Sequence, residues 1–262
     1  MEMVLIAVVS FGAALLTFFS GFGLGTILLP AFAFFFPVEI AIAMTAIVHL
    51  ANNLFKIILV KNYIDKNVAI RFAIPASIFA FIGAYALSSI TTTKVLYTLS
   101  MFNKNFDITL VKLIIGILML IFAVIELSNK LQQITFSKKY LPLGGSLSGF
   151  FGGLSGHQGA LRSMFLIKSG LSKEAFIATG IAAAVLIDIA RLSIYGVSFF
   201  TNNENLLAVN NATQLIIIAC FSAFLGSFFG KKFLKKVSIE RVNTTVGIMI
   251  LITALLMIVG II

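Results

Sequence analysis

Apolar runs of membrane-spanning length follow one another along the whole chain. They cover residues 4–36, 40–60, 68–90, 108–127, 141–168, 174–200, 211–229 and 242–262, joined by short polar connections. About 20 apolar residues suffice for a helix to cross a bilayer core, so the pattern predicts an all-α polytopic membrane protein. Outer-membrane barrels show short segments of alternating polarity instead, and that pattern is missing. The longest connection, Thr91 to Asp107, has room for an interfacial turn of helix. No segment suits a separate soluble domain, which leaves a single transmembrane domain over residues 1–262.

Two of the runs are interrupted by glycines, and the first also has the wrong length. Residues 4–36 carry no charge, and as continuous helix they would extend about 50 Å at 1.5 Å per residue. That is too long for one crossing of a roughly 30 Å core and too short for two. Gly21, Gly23 and Gly25 interrupt the run at alternate positions, and "GGLSGHQG" (152–159) divides residues 141–168 in the same way. Each run therefore reads as two shorter helices forming a re-entrant hairpin.

The broken runs also mark a repeat. At an offset of 134, Gly25 falls on Gly159, Ala41 on Ala175 and Thr45 on Thr179. With small changes of offset, "FIGAY" (81–85) matches "FLGSF" (224–228) and Gly116 falls near Gly247. Repeat one is expected over 1–130 and repeat two over 140–262, each a glycine-broken hairpin followed by three transmembrane helices. Three crossings per half invert the second half relative to the first. Loop Lys and Arg then divide 13 against 3, whereas eight full spans would divide them 10 against 6. Basic residues gather in cytoplasmic loops, which favours the inverted arrangement with both termini outside. Full spans remain the alternative, because residues 4–20 are almost long enough to cross alone.

Composition agrees: 60% of residues are hydrophobic, 11% are charged and mean hydropathy is +1.11. The net charge of +10 is accounted for by loop topology and does not indicate nucleic acid. The single Cys220 can form neither an internal disulfide nor a thiolate metal cluster. The first run lacks the basic start and short length of a cleavable signal peptide.

Broken helices at membrane depth point to chemistry. Freed N–H groups and the positive dipole end of a half-helix suit an anion. The second half-helices begin near Gly25 and Gly159, and in inverted repeats these ends converge from opposite leaflets on one site. Close packing of helices through small residues is the plain alternative for such glycines.

The segments "SGFGLGTILLPAFAFFFPVEIAIAMTAIVHLANNL" (20–54, with Pro30) and "LSGFFGGLSGHQGALRSMFLIKSGLSKEAFIATGIAAAVL" (147–186) resemble the two halves of the sulfite exporter TauE/SafE family of bacterial membrane transporters. The resemblance implies transport of sulfite, sulfonates or related organosulfur and carboxylate anions across the bacterial cytoplasmic membrane. Where the family often continues the second break with glycines, this chain has His157 and Gln158, so its site is tuned differently.

Candidate substrate-binding residues are Gly23, Gly25, Thr26, His49, Asn52, Asn53, His157, Gln158, Gly159, Arg162 and Arg191. Arg162 lies one turn into the second half-helix, and its fork of donors matches two oxygens of an oxyanion. Asp188 and Arg191, three apart, share a helix face and either neutralise each other or act on the substrate. His49 and Asn53, four apart, share a face of the 40–60 helix. Asp188, His157 and His49 are the candidates for a coupled proton. Lys56, near a helix end, is expected to snorkel to the interface.

Other chemistries lack their motifs. There is no GxxxxGK[ST] loop for direct ATP drive, two distant histidines make no metal site, and "GLSG" (153–156) lacks the setting of a nucleophile elbow. No enzyme activity and no cofactor are expected. The leading expectation is a proton-coupled secondary transporter whose repeat halves rock around a midplane site. A passive anion channel and a non-transporting membrane subunit of a sulfur-metabolism complex are the alternatives. The expected partners are a small anionic substrate and the lipid bilayer, without nucleic acid; a homo-oligomer is compatible with the sequence.

Overall fold

The structure is a computed structural model that describes residues 2–20, 23–90, 95–101, 104–201, 211–233 and 239–262. Its helices follow the apolar runs. They are α1 (Glu2–Ser20), α2 (Leu24–Ala33), α3 (Val38–Val60), α4 (Lys66–Ser88), α5 (Leu110–Leu127), α6 (Asn129–Gln132), α7 (Leu141–Ser155), α8 (Gly159–Leu166), α9 (Lys173–Thr201), α10 (Ala212–Phe233) and α11 (Ile239–Ile258). Local chemistry sets several boundaries. The Asp65 carboxylate accepts from Val68 N at 2.9 Å to start α4, and Thr109 Oγ1 caps α5 by accepting from Lys112 N. Among the described residues, five helices are long and apolar enough to cross a membrane: those in 38–63, 66–88, 110–127, 173–196 and 212–232.

The connection expected to hold a turn of helix is instead a β-ribbon. Strands β1 (Val95–Met101) and β2 (Lys104–Thr109) pair antiparallel, with Thr98 opposite Asp107. Cross-strand side chains support the pairing: Thr98 Oγ1 donates to Asp107 Oδ1 at 2.7 Å, and Ser100 Oγ to Asn105 Oδ1 at 2.8 Å. "VLYTL" and "FDIT" are rich in β-formers, a preference that the polar setting of this connection conceals.

Both predicted breaks are present. Gly23 precedes α2 with φ 105°, and Gly156 ends α7 with φ 81°; glycine meets little penalty in that left-handed region. Gly21 lies outside the described residues. After its break, α8 folds back along α7. Ser148 Oγ on α7 donates to Gln158 O at 2.9 Å, Gly144 faces the Phe165 ring, and Phe136 N donates to Met164 O. With 15 and 8 residues, α7 and α8 measure about 22 and 12 Å, each short of a crossing.

Glycines set how the helices pack. Along α7, Gly145, Gly149 and Gly153 recur every fourth residue and rest on the main-chain oxygens of Phe72, Ala76 and Ala80 in α4. Gly83 of α4 rests in turn on Phe150 O. A Cβ at any of these four positions would collide with backbone. The same contact joins α10 to α1, with Gly226 on Phe11 O and Gly230 against Leu15 and Phe18. The residue order shows that α4 runs parallel to α7, and α1 to α10. Helices α5 and α11 cross in opposite directions: Gly116 meets Ile258, whereas Gly247 meets Leu127 and Glu126. For these α7 glycines the packing alternative holds, since close backbone approach is what small residues permit between membrane helices. Helices α3 and α9 lie against each other at the centre and are the most buried of the five spans.

Candidate functional site

The two breaks meet against α3. A Cβ on Gly25, in the first turn of α2, would lie 3.9 Å from Gly156 O, 3.6 Å from the His49 ring and 3.7 Å from Thr45 Cγ2. Beside this junction is a small cavity lined by Thr26, Phe122, Glu126, His157, Gly159, Ala160 and Ile250. Thr26 belongs to the first turn of α2, and Gly159 and Ala160 to the first turn of α8. The opening turns of both short helices therefore border one space. Such turns carry N–H groups without intrahelical partners.

An ionic cluster adjoins the junction. Asp188, on α9, uses both carboxylate oxygens. Oδ2 accepts from His49 Nδ1 at 2.6 Å and from Asn53 Nδ2 at 3.3 Å. Oδ1 accepts from Arg191 Nε at 3.0 Å, with Arg191 Nη2 at 2.7 Å. These four side chains are buried, Asp188 and Arg191 almost completely. Arg191 also reaches the second break: its Nη1 lies 2.9 Å from where a Cβ on Gly156 would stand. That nitrogen has no hydrogen-bond partner among the described residues. Gly156 is thus required twice, for its positive φ and for the guanidinium beside it.

Second-break side chains present further polar atoms. His157 Nδ1 donates to Ser155 O at 2.9 Å, and its ring stacks on Phe122 with centroids 5.8 Å apart. Among the described residues this leaves His157 Nε2 without a partner, as are Gln158 Nε2 and Thr45 Oγ1. Arg162 is 3% exposed; its Nε packs over Gly180 of α9, and its Nη1 donates to Gln158 Oε1 at 3.4 Å. Tyr195 OH donates to Gly153 O and ties α9 to the end of α7.

The structure thus gathers Gly25, Thr26, His49, Asn53, His157, Gln158, Gly159, Asp188 and Arg191 about the junction, with Arg162 on its flank. Two residues stand apart. Gly23 packs on Thr17 and Val246 and shapes the turn. Asn52 faces α10; with its amide nitrogen toward Ala223 O and Ser227 Oγ, its oxygen accepts from Lys56 Nζ at 3.3 Å. Lys56 does not snorkel. It is 4% exposed, with Nζ 5.5 Å from the Phe18 ring centroid; the Asn52 oxygen and that ring occupy its charge inside the bundle. Sequence reasoning missed Glu126, a cavity-lining carboxyl that is 3% exposed. Its signal was present, as the one acid in the run 108–127, but its place beside a polar connection hid it.

The family model described as Sulfite exporter TauE/SafE matches residues 6–257 of the 262. The chain belongs to the sulfite exporter TauE/SafE family. No curated protein and no solved structure matches it. As a TauE/SafE protein it is an integral membrane protein of a family of anion transporters, not of enzymes. Both broken segments and the whole ionic cluster lie within the TauE/SafE match.

Proposed function

We propose that the protein is a secondary carrier of small anions in the cytoplasmic membrane. Its substrates are sulfite, sulfonates or related organosulfur and carboxylate anions, bound where the two broken segments meet, with a proton coupled to transport. The observation that carries this reading is the buried Arg191 guanidinium at Gly156, with Nη1 unpartnered among the described residues at the junction where Gly156 meets Gly25 of α2. A buried donor without a partner costs about 1–3 kcal/mol, and an oxyanion would satisfy it. Asp188 is engaged at both oxygens, so its part is to hold His49 and Arg191 in place.

Alternating access around this site is supported by paired contacts that repeat between the halves. Gly83 rests on Phe150 as Gly226 rests on Phe11, and Gly116 meets Ile258 as Gly247 meets Leu127. Helix direction supports inversion too. Eight full spans would make α5 and α11 parallel, whereas two hairpins with three crossings per half make them antiparallel, the direction these contacts describe. Both termini then lie outside. In a Cys220→Ala background, cysteines at the exposed Lys130 and Lys168 are expected to react with an impermeant reagent from the same side. Labelling from opposite sides would reject the hairpins.

Arg162→Ala is expected to cut sulfite flux into proteoliposomes about 10- to 100-fold, the value of a charge-assisted contact, with normal membrane insertion. Wild-type flux in that variant would remove Arg162 from the site. An imposed pH gradient should drive the wild-type protein to accumulate sulfite against its gradient; dissipation alone would identify a channel.

A further inference from the structure

We propose that Glu126 is a proton-binding group whose charge is linked to anion occupancy of the cavity between α2 and α8, an inference that rests on the anion-carrier reading above. Glu126 sits in the last turn of α5 and lines the cavity with Thr26, His157, Gly159 and Ala160. Among the described residues its side chain makes no ion pair and no hydrogen bond. The groups around it come from five directions. From α2 there is Thr26, and from the second break His157, whose Nε2 is unpartnered. From α8 there are Gly159 and Ala160, while Arg162 of that helix is turned to Gly180 and Gln158. From α11 there are Gly247, against the Glu126 Cβ, and Ile250. Beyond α5, the Gln132 amide bonds to the main-chain oxygen of Glu126, and Lys130 is exposed. No lysine or arginine among them fixes the carboxyl.

Besides the Arg191 guanidinium held at Gly156, the positive ends of α2 and α8 are the local field available to a negative charge in this space. A substrate anion and a Glu126 carboxylate compete for it, and two like charges in a small cavity repel. Anion binding therefore draws a proton from solvent onto Glu126. Reciprocally, protonation of Glu126 tightens anion binding by the same factor. Proton and anion then occupy the site together, without requiring Asp188 to leave its ion pairs.

The test uses the purified full chain and two probes, methanesulfonate, which does not titrate in this range, and sulfite. Wild-type affinity for methanesulfonate is expected to fall by up to about tenfold per pH unit as pH rises, the slope of one linked proton. Glu126→Gln, which mimics the protonated carboxyl, should bind at all pH values about as tightly as the wild type does at low pH. Calorimetry at a pH on the falling part of that curve, in two buffers of different ionisation enthalpy, should show proton uptake on methanesulfonate binding to the wild type, a readout that needs no variant. No proton uptake, or a wild-type pH slope retained in Glu126→Gln, would overturn the proposal. So would a slope lost in His157→Gln but kept in Glu126→Gln, which would assign the linkage to His157. If the wild type binds neither probe, the carrier reading itself falls, and Glu126 with it; tight pH-dependent binding that is indifferent to Glu126 leaves the carrier reading standing.

Discussion

Asp188→Asn is expected to lower unfolding stability by about 3–5 kcal/mol, because removing one partner of a buried ionic group leaves the others uncompensated. The carboxylate joins His49 and Asn53 on α3 to Arg191 on α9, so its loss loosens the two helices at the centre of the bundle. Thermal unfolding in detergent measures the effect. The double variant Asp188→Asn with Arg191→Gln should be less damaged than the single one, since it no longer buries an arginine without its counter-ion. A single variant that melts with the wild type would mean that the cluster does not hold α3 to α9. Transport should be lost in both, because neither retains the guanidinium fixed at Gly156.

Gly149→Leu is expected to leave little monodisperse folded protein. A Cβ at residue 149 would fall on Ala76 O, with the Ala76 Cα and C close behind. Backbone cannot rotate away as a side chain can, so the substitution must push α7 off α4, well above the 1–3 kcal/mol typical of overpacking. Gly12→Ala is the matched control. Nothing lies within 4 Å of a Cβ there, and exchanging a mid-helix glycine for alanine gains up to about 1 kcal/mol. Size-exclusion profiles and melting curves of the two variants should move in opposite directions. An unaffected Gly149→Leu would mean that the α4–α7 contact does not carry the fold.

The contrast between these glycines marks how far sequence carries. Hydropathy located the helices, because each must be apolar over a length set by the bilayer. Length arithmetic located the first break, because 33 apolar residues fit neither one crossing nor two, and the glycines of 152–159 located the second. It could not separate glycines that turn the chain, such as Gly156, from glycines that seat one helix on another, such as Gly149. The two differ only in φ and in what lies opposite. His49, Asp188 and Arg191 stood out as polar groups in apolar runs, but their bonding needed α3 set against α9. Asn52 and Asn53 are adjacent in sequence, and the helical turn sends one to α10 and the other to the site. Glu126 stands beside a polar connection and so did not stand out in its run, and β1–β2 was obscured because two short strands carry no membrane signal.

The seating of α1 on α10 has a consequence for how the chain is made. Gly226 and the Phe11 oxygen it covers are 215 residues apart (226 − 11), whereas Gly153 and Ala80 are separated by 73 (153 − 80). Synthesis runs from the N-terminus, and segments settle as their partners appear. When α7 emerges, α4 is already in place. Helix α1 has no such host and stays without its seat until α10 leaves the ribosome. A chain cut short before residue 212 would fail first at its beginning. The part of the site translated earliest is the part completed last.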